Sequence, residues 1–226
     1  MRDYNLLFLA CLAFIGSHFI LSHPLRPALS RFFKGPVFLI FYSLVAFATF
    51  GWAIWEFVNA PKLAPLWTVG DIGWGVASLL TLIASVLFVG SFSGNPSLPN
   101  PEAGKLAARE PHGVFVVTRH PMMWGFALWG VAHILVAPRP DVFIFIGSIV
   151  FLALVGAKTQ EMKKTRMMGV EWDMWRRKTS YWPRLGGLLH AGLWPWVGGI
   201  ALWLVATYAH PAMNWPVVGI WRWVGG

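Results

Sequence analysis

The chain has 226 residues, 57% of them hydrophobic and only 12% charged, with a mean hydropathy of +0.58. That charged fraction is about half of what a soluble domain carries, so water is not the main solvent and little chain is left for a sizeable soluble domain. The formal charge of +9 gathers in loops between apolar runs, which assigns it to anionic lipid and to membrane topology and argues against nucleic acid as a partner.

The expected fold class is an all-α integral membrane protein, a bundle of about six transmembrane helices in a single domain, because about 20 mostly apolar residues suffice for one crossing. The first span covers about 6–21 and contains Cys11, the only cysteine, which excludes an internal disulfide, a zinc–thiolate cluster and a Cys-x-x-Cys redox centre. It lacks a small-residue cleavage site, and Ser22-His23-Pro24-Leu25-Arg26 reads as a membrane exit, so it is a permanent span and not a signal peptide. The second span covers about 36–58 and the third about 73–92. Ser93 to Pro101 contains Pro96, Pro99 and Pro101 and must be a loop. The short apolar run Val114 to Val117 then has to pack at the membrane surface or against the helices.

The fourth span, about 121–137, opens on a proline, and the fifth covers about 142–157. The basic segment 158–184 is read as a cytoplasmic extension of the fifth helix followed by a surface helix. The sixth span, about 188–208, is interrupted at Pro195, and the Trp- and Pro-rich tail 211–226 reads as an interfacial segment. The tryptophans in general are assigned to lipid and interface contacts. Arg26, Arg31 and Lys34 follow the first span, Lys105, Arg109 and Arg119 follow the third, and the densest cluster follows the fifth. Only Arg2, Lys62, Arg139 and Arg222 fall on the other side, which places both termini outside the cytoplasm.

Histidine carries the chemistry in a chain this poor in ionisable groups, since an imidazole within a span is costly unless paired or bound to metal. His18 lies on the first span, on the same face as Cys11, and His133 lies on the fourth. Two neutral imidazoles on different apolar helices suit axial ligation of a haem; the plainer reading of the spacing is that each simply donates a hydrogen bond to a neighbouring helix. Thr118-Arg119-His120-Pro121 is the second feature. Proline at a first helical position leaves free amides there, and with Arg119 they form an anion site suited to a propionate, phosphate or carboxylate. The alternative is that Arg119 marks the membrane boundary and His120 caps the helix. Arg26 presents the same choice. His23 is placed at the interface, whereas His112, His190 and His210 fall in or near connections and are read as solvated.

Two stretches resemble a known family: Gly16-Ser17-His18-Phe19-Ile20-Leu21-Ser22-His23-Pro24-Leu25-Arg26, and Thr118-Arg119-His120-Pro121-Met122-Met123-Trp124-Gly125 continuing to Ala132-His133. Together they look like NnrU proteins, a bacterial family associated with nitrite and nitric oxide reduction and similar to the plant and cyanobacterial zeta-carotene isomerases. The resemblance implies a multi-pass protein of the bacterial inner membrane, with haem b as cofactor, His18 and His133 as iron ligands, and a possible haem-dependent cis–trans isomerase activity on a hydrophobic small molecule such as a polyene. It leaves Arg119, His120 and Arg26 as further cofactor-binding candidates. The chain departs from the isomerases at Phe19-Ile20, where they carry Ser-Gly, and at Gly130, where they carry a cysteine.

With the fourth helix starting at Pro121, His133 lies about 18 Å along its axis, whereas His18 is only about 7 Å from the end of the first helix. The depths converge if the first helix continues through Pro24 towards Arg31 as a kinked extension, or if the fourth is strongly tilted. Arg119, His120, Glu161, Trp172, Trp175 and Tyr181-Trp182-Pro183-Arg184 are also similar to the isoprenylcysteine and phospholipid methyltransferases. That likeness implies a membrane methyltransferase holding S-adenosylmethionine through Arg119, His120 and Glu161, although Gln160-Glu161 stands where those enzymes show Glu-Glu. A third possibility is a non-catalytic haem carrier or reductase assembly factor.

Overall fold

In a computed structural model the described residues are 3–33 and 36–224, so the charge markers Arg2 and Lys34 lie outside them. The chain is an all-α membrane protein. Its elements in order are α1 (Asn5–Ser22), α2 (Arg26–Phe32), α3 (Pro36–Asn59), α4 (Asp71–Gly90), α5 (Ala103–Ala108), a 3-10 turn (Gly113–Val116), α6 (Pro121–Val136), α7 (Pro140–Met168), α8 (Val170–Lys178), a second 3-10 segment (Leu185–His190), α9 (Leu193–Ala209), a third 3-10 turn (Pro211–Met213) and α10 (Trp221–Val224). Among the described residues four helices, α1, α3, α4 and α7, are long and apolar enough to cross a membrane; α6 is a shorter apolar helix of 16 residues, and α9 has 17.

Exposure supports lipid as the solvent. On α3 only Phe38 and Ala53 are buried, while Leu44, Phe47, Trp55 and Val58 are each more than 60% exposed. So much contiguous apolar surface is compatible with hydrocarbon and not with water.

The helices fall into two compact units, Met1–Thr68 with Ala137–Leu152, and Val69–Val136 with Ala153–Gly226. In the first, α1 packs on α3 through Phe14 and Phe50, with ring centres 4.9 Å apart. The first half of α7 joins them through Phe145, which stacks on Phe57 at 4.6 Å. Asp141 in the first turn of α7 is fully buried and accepts from Lys62 at 2.7 Å and from Arg139 at 3.1 Å, tying the loop after α3 to the helix start. The negative charge also suits the positive end of the helix dipole. After α1 the chain turns at His23–Leu25 and restarts at once as α2, with Leu25 N–H bonded to Ile20 O at 3.0 Å. Pro24 sits in this turn and lacks the amide that a continuous helix would donate to Ile20 O, so the ladder breaks there, while Pro27 falls harmlessly in the first turn of α2.

In the second unit α4 is the central helix, with α6 and α9 packed against it. Close approach depends on glycine: a Cβ on Gly199 of α9 would lie 2.6 Å from Val86 Cα on α4. Small residues at such contacts let dispersion forces act where lipid removes the hydrophobic drive. The tail folds back onto this unit. Trp221 donates to Thr207 Oγ1 at 3.1 Å, and Arg222 lies over the Trp74 ring at 4.7 Å.

The structure corrects two expectations. Pro195 does not interrupt the last long helix: that helix begins at Leu193, and Pro195 sits in its first turn, where the missing N–H has no intrahelical acceptor to lose. Leu188 belongs to the preceding 3-10 segment. Trp172 and Trp175 are not interface residues. They are 0% and 2% exposed and pack with Val86, Leu87, Phe115 and Val117 in the core of this unit, where Val114 and Phe115 are also buried. Burying large aromatic area without lipid contact anchors α8 to the core.

Candidate functional site

The Thr118-Arg119-His120-Pro121 stretch forms the most polar node of the second unit. Its backbone binds the 179–184 segment: Arg119 N–H donates to Ser180 O at 2.8 Å and Arg184 N–H donates to Val117 O at 2.9 Å. Thr118 Oγ1 and Trp124 Nε1 both donate to Tyr181 O, at 2.8 Å each, and Tyr181 in turn donates its hydroxyl to Leu154 O at 2.9 Å. At the centre Arg119, 8% exposed, pairs through Nε with the Glu161 carboxylate of α7 and donates from Nη1 to Thr179 O at 3.2 Å. His120 Nε2 lies 3.1 Å from the same carboxylate oxygen. A carboxylate only accepts, so Nε2 carries the proton and Nδ1 the lone pair.

Burial is the largest influence on His120 and pulls its pKa below the usual value, against the opposing pull of Glu161, so the ring is neutral near pH 7. His120 Nδ1 and Ser97 Oγ are both buried with no hydrogen-bond partner among the described residues. Both residues line a cavity of about 10 Å³ together with Asn95, Met123 and Gln160, room for about one water.

The imidazoles within the spans share a different arrangement. His18 Nδ1 is 2.8 Å from Phe14 O on α1, and His133 Nδ1 is 2.7 Å from Trp129 O on α6. A carbonyl only accepts, so Nδ1–H is the donor in each ring and Nε2 keeps its lone pair. Neither Nε2 has a hydrogen-bond partner among the described residues. The surroundings are aromatic: Phe14 and Tyr42 have ring centres 4.6 and 5.6 Å from His18, and Trp129 lies 4.2 Å from His133.

The family described as NnrU protein matches residues 6–217. The chain belongs to the NnrU family. No curated relative and no solved structure matches it.

Within this NnrU-family chain, His18 lies in the first unit and His133, Arg119 and His120 in the second. Arg26 begins α2, makes no ion pair among the described residues, and sits with its guanidinium carbon 5.3 Å from the centre of the Phe38 ring. The resemblance to the membrane methyltransferases groups Arg119, His120 and Glu161, and these three meet. What it does not reveal is that Thr179 O and Tyr181 O complete the node, because backbone acceptors carry no residue signature. His210 is half-exposed at the end of the last long helix, beside a connection as expected. It caps α9, its Nδ1 is 2.8 Å from Ala206 O, and its ring centre lies 6.4 Å from that of His133.

Proposed function

We propose that this NnrU-family protein binds haem b within the bacterial inner membrane, with His133 as an iron ligand and both termini in the periplasm. The observation that carries the reading is the state of the His133 ring: Nδ1 is fixed on Trp129 O, and Nε2 is left as an unengaged lone pair beside an indole. Ligating histidines commonly have the other ring nitrogen fixed in this way, which sets the tautomer and raises the basicity of the donor. The donor set therefore fits the group. His18, held by the same bond to Phe14 O, offers equivalent chemistry and is the second ligand that the family resemblance suggests.

When bound, haem supplies a redox-active, Lewis-acidic iron; the chain supplies apolar surroundings and a fixed imidazole. The node around Arg119 and His120 holds the start of α6, the helix that carries His133, and so sets the ring's depth. The role proposed is support of nitrite and nitric oxide reduction, or isomerisation of a polyene in the bilayer. Protein expressed with ample haem and purified in detergent is expected to show an intense Soret band that His133→Ala removes or shifts. Colourless protein would overturn the proposal. Reduced protein given a poly-cis polyene then separates the roles: conversion assigns an isomerase, and no conversion assigns a carrier or assembly factor.

A second reading, binding of S-adenosylmethionine, is favoured by the gathering of Arg119, His120 and Glu161. Against it, one oxygen of Glu161 already serves both cations, and the adjoining cavity holds about one water. Colourless protein that binds S-adenosylmethionine in equilibrium dialysis would support this reading instead.

A further inference from the structure

Two of the buried polar atoms without partners face a common space in the second unit. Ser97 Oγ and His120 Nδ1 belong to residues 5% and 2% exposed, and neither atom has a hydrogen-bond partner among the described residues. Both residues line the cavity of about 10 Å³. A buried polar atom left unpaired is costly, so in folded proteins such atoms bond to protein or to ordered water.

The walls of the cavity are fixed, and their other polar groups are largely spent. Ser97 N–H donates to Asn95 Oδ1 at 2.9 Å, and Ser97 O accepts from Gln160 Nε2 at 3.0 Å. One turn further along α7, Lys164 donates to Pro96 O at 2.6 Å, so α7 clamps this loop at two successive residues. Asn95 has its Oδ1 on Ser97 N–H and donates from Nδ2 to Ser91 O at 3.0 Å. On the opposite wall His120 is held by Nε2–H on Glu161 at 3.1 Å, a bond that turning the ring over would give up. Leu98, Met122 and Met123 make the remaining wall apolar.

One small group that both donates and accepts satisfies both atoms, since the lone pair on Nδ1 needs a donor and the Ser97 hydroxyl can donate. We propose that the cavity is a binding site for a single ordered water, which donates to His120 Nδ1 and accepts from Ser97 Oγ–H. Its second hydrogen goes to Gln160 Oε1, the acceptor of an amide whose Nε2 is already bound to Ser97 O. About three hydrogen bonds are usual for a buried water, and the volume suits one molecule. The carboxylate on Nε2–H polarises the ring and strengthens Nδ1 as an acceptor. The water thereby joins loop 95–98 to the Arg119–Glu161 node and so to the start of α6. Nothing in this inference depends on haem.

The test is nuclear magnetic resonance of the full chain in detergent with isotope-labelled histidine rings, the His120 signals being assigned by their loss in His120→Gln. In wild type, His120 Nδ1 is expected to show the shift of a hydrogen-bonded lone pair and a correlation to a water proton that exchanges slowly with bulk. Ser97→Ala removes one of the partners. It is expected to weaken that correlation and to speed hydrogen exchange of the backbone amides at 97 and 98 by roughly two- to tenfold, the worth of one hydrogen bond. A Nδ1 signal at the position of a free lone pair would overturn the inference, as would a direct bond from the Ser97 hydroxyl with no water correlation. Unchanged exchange in Ser97→Ala would overturn the link to the loop. The wild-type spectrum decides the occupancy of the site without that variant.

Discussion

Glu161→Ala is the sharpest perturbation of the polar node. It removes the one carboxylate that serves both Arg119 and His120, leaving the guanidinium 8% exposed with only Thr179 O, and leaving the His120 Nε2–H buried without an acceptor. Breaking a buried ion pair by deleting one partner costs about 3–5 kcal/mol, because the surviving charge stays desolvated. For a chain of this size that corresponds to a fall in Tm of roughly 6–20 °C. The assay is thermal unfolding in detergent by circular dichroism. Replacing both partners, Arg119→Met with Glu161→Met, should recover most of the loss, since no uncompensated charge remains. A Tm within about 2 °C of wild type for Glu161→Ala, or a double variant no better than the single, would refute the reasoning.

Other expectations follow from separate contacts. Gly199→Leu drives a side chain into the Val86 backbone, should cost about 1–3 kcal/mol or more by overpacking, and should broaden the size-exclusion profile as α9 leaves α4. Asp141→Ala leaves Lys62 and Arg139 without their shared carboxylate, and is expected to expose the 60–70 loop to limited proteolysis. His120 has a lowered pKa in the folded chain, so the unfolded chain binds its proton first as pH falls. The His120 contribution is present above about pH 6.5 and is lost below it, and His120→Gln should flatten the pH dependence of Tm in that range.

Much of the helix layout was legible in the sequence, for reasons that differ by element. Pro121 marks the start of α6 because a proline at a first helical position and the apolar run after it point the same way. The extension of the fifth span is likewise legible, since α7 runs to Met168 before Val170 restarts the chain as α8. Pro195 misled because proline breaks a helix interior but is harmless in a first turn, and only the true start of α9 distinguishes the two. Trp172 and Trp175 misled because a tryptophan in a basic, polar stretch resembles an interfacial anchor; their burial comes from Phe115 and Val117, more than 50 residues away in sequence. The contact between the His133 and His210 rings has the same cause: it is made by two helices meeting on α4, and no local pattern records it.

The central claim is that His133 presents a free imidazole nitrogen to haem iron. The absorption spectrum of purified protein, loaded with haem and compared with His133→Ala, tests it directly. An intense low-spin Soret band that the substitution abolishes or shifts is the expected result. A colourless wild type, or a band that His133→Ala leaves unchanged, would contradict it.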